Sequence, residues 1–190
     1  VNQLCRCKYM MKGNLFQLKI DLLFKFDKSL RLKNLLKEEN DDLIFEHYFW
    51  QEIFEAWMDT ILSENKFSYL SNLNLKRYNF SLSFEIIDDE LIADLNKRWL
   101  NKKGPTDVLS FPIIAENDFY IEMPTIELGD LFISLDTAQK QSKEFNNSLK
   151  EEMIWLASHG FLHLLGWDHR DSNELDKMLF LQEYLISKLN

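Results

Sequence analysis

Hydrophobic residues recur along this chain with two different periods, and each period predicts one kind of element. The region 43–63 carries apolar and aromatic residues every four positions in two adjacent stripes, which is typical of a helix with a wide buried face. The stripes consist of Phe45, Phe49, Ile53, Trp57 and Ile61 and of Trp50, Phe54, Met58 and Leu62. We expect this face to pack on a sheet, and we expect His47 to be structural or exposed.

Four shorter regions have the pattern of β-strands: 16–26, 80–86, 108–114 and 128–135. In 80–86, apolar residues alternate with serine and glutamate, so one face of that strand should be buried. The acidic region 115–127 separates the last two strands and predicts a hairpin loop.

Polar side chains that can cap a helix N-terminus mark the other helix boundaries. They are Asp88, Asp136, Ser148 with Glu151 three positions later, and Asp171 with Glu174. Gly104-Pro105 should end the helix that follows Asp88, and the helix that follows Asp136 should run to about Phe145. The resulting order, β-α-β-α-β-β-α-α-α, predicts a single α+β domain over residues 1–190, with a mixed four-stranded sheet and about five helices.

Composition and charge narrow the possible function classes. With 46% hydrophobic and 14% aromatic residues, the chain of 190 residues should fold around a sizeable core. Its formal net charge of −9 excludes a generally basic nucleic-acid binder. A local basic groove remains compatible with that charge, because binding uses a patch of the surface.

The N-terminal region gives information about the cellular compartment of the protein. Cys5 and Cys7 are too close together for a disulfide framework, which favours a reducing compartment. We interpret residues 1–13 as a disordered tail. No apolar stretch reaches the ~18 residues of a membrane span and no signal peptide is recognisable, so we expect a cytoplasmic protein without a membrane partner.

The run from His159 to His169 holds three of the four histidines, in the spacing H-x-x-x-H-x-x-G-x-x-H. On a helix, His159 and His163 lie one turn apart on the same side. Gly166 can take the left-handed conformation that ends a helix and turns the chain back, so that His169 meets the first two. Three imidazoles without a fourth protein ligand predict a catalytic zinc-type site with a position open for water.

The residue after the first histidine argues against a peptidase. Zinc peptidases with this spacing have a glutamate there as general base, and here the residue is Gly160. A metal hydrolase remains compatible, because zinc can lower the pKa of bound water to ~7 without a carboxylate. A metallopeptidase is therefore the less favoured alternative.

A cluster of cations stands out on this acidic chain: Lys97, Arg98, Lys102 and Lys103 lie within seven positions. Such a cluster is typical of a solvated helix end, where cations also suit the helix dipole. The same residues can hold a phosphate backbone as a local electrostatic patch.

Three segments together closely resemble the YbeY family, which consists of bacterial metal-dependent endoribonucleases also described as rRNA maturation factors. They are Pro105 to Pro112, Leu128 to Ser134, and His159 to His169. The resemblance runs from about Phe80 to Leu185, more than half of the chain.

The resemblance implies a zincin-like α+β fold with one zinc ion per chain, held by His159, His163 and His169. It implies cytoplasmic action on small-subunit rRNA precursors, in rRNA maturation and ribosome quality control, with the small ribosomal subunit as partner. The strands 106–111 and 128–134 would lie beside the metal as a cleft wall.

One position departs from the family pattern. Many members have an arginine, implicated in activity, directly after the aromatic residue of the Leu-Asn-x-x-aromatic segment, and here that position is Leu100. Its loss gives some weight to an alternative, a non-catalytic ribosome assembly factor whose zinc is structural.

The favoured hypothesis is metal-dependent hydrolysis of single-stranded RNA. The metal on His159 and its partners would do the chemistry, and the Lys97–Lys103 cluster would hold the RNA backbone. Asp168 either accepts a hydrogen bond from a ligand histidine or caps a turn, and the sequence favours neither role.

Overall fold

The computed structural model of the protein describes residues 20–30, 41–63, 79–113 and 125–189. Four strands and five helices of at least ten residues lie in these ranges in the predicted order, and residues 28–30 are helical as well. The strands are β1 (Ile20–Phe26), β2 (Asn79–Ile87), β3 (Val108–Pro112) and β4 (Thr125–Ser134). The helices are α1 (His47–Ser63), α2 (Asp89–Leu100), α3 (Leu135–Glu144), α4 (Leu149–Leu164) and α5 (Ser172–Ser187), and a 3-10 helix (Asp41–Phe45) precedes α1.

The four strands form one mixed sheet in the order β1-β2-β4-β3. The β1–β2 and β2–β4 pairs are parallel, whereas β3 is antiparallel to β4 and lies at the edge. The alternation predicted for β2 is confirmed, since its apolar residues Phe80, Leu82, Phe84 and Ile86 are all buried. The predicted α+β class with a mixed four-stranded sheet is therefore confirmed.

The aromatic face of α1 packs on this sheet, as predicted. The Trp50 ring meets Phe84 of β2 edge to face, with 4.8 Å between ring centroids. The indole N–H of Trp50 donates to the Ile44 carbonyl, and that of Trp57 to the Leu185 carbonyl, so neither polar atom is buried without a partner. His47 is structural: its Nε2 lies 3.0 Å from the Leu22 carbonyl oxygen.

The helix predicted over 43–63 is divided, which corrects its first boundary. Residues up to Phe45 form the 3-10 helix, and α1 begins at His47. The Glu46 amide bonds to the Leu43 carbonyl and the Phe49 amide to the Glu46 carbonyl, both with three-residue spacing. Bonds of this spacing tighten the turn and separate it from the α-helix.

The two faces of the edge strand meet different helices. On one face, Val108 and Ser110 of β3 lie against Gly160 of α4. On the other face, Leu109 and Phe111 join a small apolar cluster with residues of α2 and neighbouring strands. The edge strand β3 is thus held between α4 on one side and α2 on the other.

Both ends of α2 are set by side chains. Asp88 caps its start, as predicted, by accepting a hydrogen bond from the Leu91 amide. The helix ends at Leu100 and not at Gly104-Pro105, which corrects the predicted end. Asn101 adopts the left-handed conformation (φ 54°) there, a conformation that asparagine tolerates better than most residues.

The cap of α3 is also corrected. Ser134, and not Asp136, is the N-cap residue: its Oγ accepts from the Thr137 amide at 3.2 Å. The Asp136 carboxylate accepts instead from the Asp89 amide at the start of α2. Asp136 therefore joins two helix N-termini, a role that requires the tertiary structure.

Several predicted boundaries shift or fall outside the described residues. The strand β4 begins at Thr125, so the last residues of the predicted loop 115–127 belong to it, and β3 ends at Pro112. Positions 16–19 of the first predicted strand lie outside the described residues, as does the predicted tail 1–13 with both cysteines. Among the described helices, none is both long and apolar enough to cross a membrane.

Candidate metal centre

The helix α4 places two of the three histidines of the motif on one side. It starts with the predicted capping box, in which Ser148 and Glu151 bond each other's backbone amides. It ends at Leu164, and Gly166 follows in the left-handed conformation with φ 87°. The Trp167 amide then bonds back to the Leu162 carbonyl at 3.0 Å. This turn reverses the chain and brings His169 to the other two rings, as the glycine predicted.

The three imidazoles form a compact cluster. One nitrogen from each of His159, His163 and His169 can be chosen so that all three lie within 4.8 Å of one another. Nε2 of His159 and Nε2 of His163 are 3.1 Å apart. Two zinc bonds of ~2.0–2.1 Å at a tetrahedral angle would place their nitrogens about 3.3 Å apart, so the donor set fits such an ion. All three side chains are half-buried.

The pKa of His163 also suits a role as a metal ligand. Burial, followed by the charge of neighbouring His159, lowers the pKa of His163, while a hydrogen bond with the Trp167 backbone acts in the opposite direction. A lowered pKa keeps the ring neutral at physiological pH. The neutral ring is the form whose lone pair binds a metal ion.

One residue of the site, behind His159, was not predicted from the sequence. Gln182 of α5 is fully buried, and its Oε1 lies 2.9 Å from Nδ1 of His159. A signal for it exists in the sequence, since Gln182 lies four positions after Met178 and three before Leu185 on the apolar side of α5. A polar residue at such a position needs a buried partner.

The position that holds the base in zinc peptidases faces the sheet. A Cβ built on Gly160 would overlap Cδ1 of the buried Leu131 side chain and come within 3.0 Å of the Ser110 hydroxyl. A glutamate there would have to displace this packing and bury a charge among apolar groups. The same contacts place β3 and β4 against α4, where a cleft wall was expected.

The contacts of Asp168 are those expected of a residue that caps a turn. Its Oδ1 accepts a hydrogen bond from the His169 amide at 2.8 Å, which is the main cause of its lowered pKa. Its Oδ2 lies 3.5 Å from Nε of Arg170 at the surface. Gln182 is a side-chain acceptor beside a ligand ring, and a ring-orienting role of Asp168 stays a prediction.

The four cations of the Lys97–Lys103 cluster are all exposed at the end of α2 and in the loop after it. Arg98 pairs with Asp94 one turn earlier, with 2.6 Å between Nη2 and Oδ2. The described contacts do not join this cluster to the histidines, because α2 and α4 pack on opposite faces of the edge strand. Trp99 beside it is 70% exposed, and its ring lies 5.9 Å from that of Phe111.

Comparison with known proteins identifies the family. The family model described as endoribonuclease YbeY matches residues 35–190. The chain belongs to the YbeY family. Endoribonuclease YbeY of Prochlorococcus marinus subsp. pastoris is 53% identical over 181 residues, which cover 95% of this chain and 100% of that protein. Endoribonuclease YbeY of Synechococcus sp. (strain CC9605) is 43% identical over 152 residues, 80% of this chain and 90% of that protein.

The solved structures support the same fold. The solution structure of TM1509 from Thermotoga maritima matches with a TM-score of 0.50 and 20% identity, over 89% of this chain and 87% of that one. The family model and the curated relatives confirm the resemblance predicted from three segments. The YbeY match begins at residue 35, so it extends further toward the N-terminus than the predicted start near Phe80.

Proposed function

We propose that this member of the YbeY family is a metal-dependent endoribonuclease that cleaves single-stranded RNA. The endoribonuclease activity follows from the family, whose curated relatives carry that name. The single observation that carries the metal dependence is the cluster of His159, His163 and His169, whose nitrogens lie within 4.8 Å of one another. We also propose that the chain binds one zinc ion. We further propose that it acts in the cytoplasm, in small-subunit rRNA maturation and ribosome quality control.

The three histidines would hold the zinc ion, and they would leave a fourth position open for water or a substrate oxygen. When bound, zinc supplies a Lewis acid and a water of lowered pKa. The chain contributes three half-buried rings held by a short turn, so the donors need little rearrangement to receive the ion. The lowered pKa of His163 favours the neutral form of that ring. Gly160 provides no carboxylate base and packs on the sheet, which disfavours peptidase chemistry.

The Lys97–Lys103 cluster would bind the phosphate backbone of the RNA. Four exposed cations close together on a chain of net charge −9 form a local exception to its acidic surface. Phosphate binding by such a patch is independent of base sequence and depends on salt. The helix α2 carries part of the cluster, and α4 carries two of the histidines. Because these two helices pack on opposite faces of the edge strand, RNA bound at both would pass around β3.

The test is cleavage of a small-subunit rRNA precursor by the zinc-loaded protein. We expect the wild type to cleave it. His163→Ala should no longer bind zinc, and its cleavage rate should fall at least about 100-fold, because one of the three zinc ligands is missing. His47→Ala is the matched control, because His47 lies on α1 and bonds the Leu22 carbonyl of β1. If His163→Ala retains full zinc content and full activity, the proposal is wrong.

A second candidate is a ribosome assembly factor that binds the small subunit without cutting RNA. Leu100, exposed by 46%, offers no cation where many members of the family have an arginine. This candidate predicts zinc binding and subunit binding with no cleavage by the wild type. The same experiment therefore separates the two.

A further inference from the structure

We propose that Gln182 is a positioning residue that fixes the proton of His159 on Nδ1 and so presents Nε2 to the metal. The residue lies on α5, 23 positions away from His159 in the sequence, and is fully buried. The inference rests on the proposed function only in taking His159 as a metal ligand.

The orientation of the Gln182 amide is set by its other neighbours. Its Nε2 lies 3.2 Å from the Trp155 carbonyl oxygen and 3.2 Å from the Ser158 hydroxyl. The Ser158 hydroxyl donates its own proton to the Trp155 carbonyl at 2.7 Å, so it can only accept from Gln182. Two acceptors therefore hold the amide NH₂ on this side, and Oε1 has to face His159.

This orientation determines the form of the His159 ring. Oε1 of an amide accepts and cannot donate, so Nδ1 of His159 at 2.9 Å must carry the proton. In a neutral ring the lone pair then lies on Nε2. That nitrogen is the one 3.1 Å from Nε2 of His163, inside the cluster.

An amide suits this position better than a carboxylate would. A carboxylate would turn one oxygen toward the Trp155 carbonyl, with no proton to share, and would bury a charge. The amide satisfies all three neighbours and adds no charge behind the ring. Such partners of ligand histidines typically change metal affinity by ~10–100-fold when they are removed.

The decisive test is ¹⁵N–¹H NMR of the imidazole rings in the metal-free protein, at a pH about 1.5 units above the ordinary histidine pKa of ~6.5. We expect the proton of His159 on Nδ1 in the wild type. In Gln182→Met, which keeps the length of the side chain but removes its hydrogen bonds, we expect the proton to shift largely to Nε2. Gln51→Met is the matched control, since Gln51 lies on α1 and bonds the Ile20 carbonyl and Glu55, not the three ligand histidines.

A second readout uses zinc and no RNA. In competition with a chelator, Gln182→Met should bind zinc ~10–100-fold more weakly than the wild type, while Gln51→Met should bind it equally well. A wild-type His159 protonated on Nε2 would overturn the proposal, whether or not the variant folds. Unchanged tautomer and zinc affinity in a folded Gln182→Met would overturn it as well. Failure of RNA cleavage alone would count against the proposed function and leave this inference standing.

Discussion

The two helices on either side of the edge strand are built differently. On the α4 side, Phe161 and Leu131 are fully buried. The His159 ring has a hydrogen-bond partner in the buried Gln182 side chain. On the α2 side, Lys97, Lys102 and Lys103 are exposed, and Trp99 projects into solvent. The α4 side is therefore suited to hold a small ion in fixed geometry, and the α2 side is suited to bind a flexible, charged polymer.

The largest difference should appear in stability. Phe161→Ala should lower the free energy of unfolding by about 3–5 kcal/mol, because a fully buried aromatic side chain leaves a cavity in the main core. Trp99→Ala on the other side should cost about 1 kcal/mol or less, since that ring is mostly exposed. Urea denaturation of both variants measures the free energy of unfolding. An equally large decrease for Trp99→Ala and Phe161→Ala would contradict the difference between the two sides.

The charge cluster should act on RNA binding and not on the metal. Replacing Lys97, Arg98, Lys102 and Lys103 by alanine should weaken binding of single-stranded RNA and reduce the slope of log K against log salt by up to about 2.8, or ~0.7 for each phosphate contact. Zinc content should stay unchanged. RNA affinity measured at several salt concentrations, in the His163→Ala background to prevent cleavage, tests this.

A control for that experiment is Lys140→Ala, which removes a surface cation from α3 that already pairs with Asp89 at 2.7 Å. It should leave the salt slope unchanged. Equal slopes for the fourfold variant and the wild type would place RNA binding elsewhere on the surface.

The smallest effect concerns a buried acid on the α4 side, Glu152. Burial, opposed by a hydrogen bond from Asn147 and aided by the nearby Asp107 carboxylate, raises the pKa of Glu152 on α4. A raised pKa means that the folded state holds its proton at a pH where the unfolded state has lost it. Stability should therefore fall as pH rises from the ordinary pKa of ~4.3 through the raised one.

Glu152→Gln keeps an acceptor for Asn147 and removes this penalty. It should stabilise the protein at neutral pH by less than about 1 kcal/mol, with the gain disappearing near pH ~4. Denaturation at the two pH values measures the gain. A gain of equal size at both would refute the titration argument.

The sequence predicts the local parts of this structure well. The capping box at Ser148, the cap at Asp88 and the turn at Gly166 depend on neighbours within a few residues, and the structure confirms them. The histidine cluster belongs to this class, because a helix turn and a glycine turn suffice to gather three rings. Family membership could be predicted for the same reason, since its motifs are short and local.

The parts that the sequence missed depend on contacts between distant segments. Gln182 of α5 contacts His159 of α4. Ser134, and not Asp136, caps α3, because the Asp136 carboxylate bonds the start of α2 beside it. The strand order likewise requires β4 to pair between β2 and β3. Spacing along the chain can mark Gln182 as a buried polar residue, but it does not identify the partner, so only packing reveals such pairings.

The most direct test of the central claim is a zinc titration of metal-stripped protein, with RNA cleavage and bound zinc measured on the same samples. We expect no cleavage without metal, activity that rises in proportion to bound zinc, and saturation at one ion per chain. Full activity of the stripped protein, or activity that does not follow occupancy of the site of His159, His163 and His169, would contradict it.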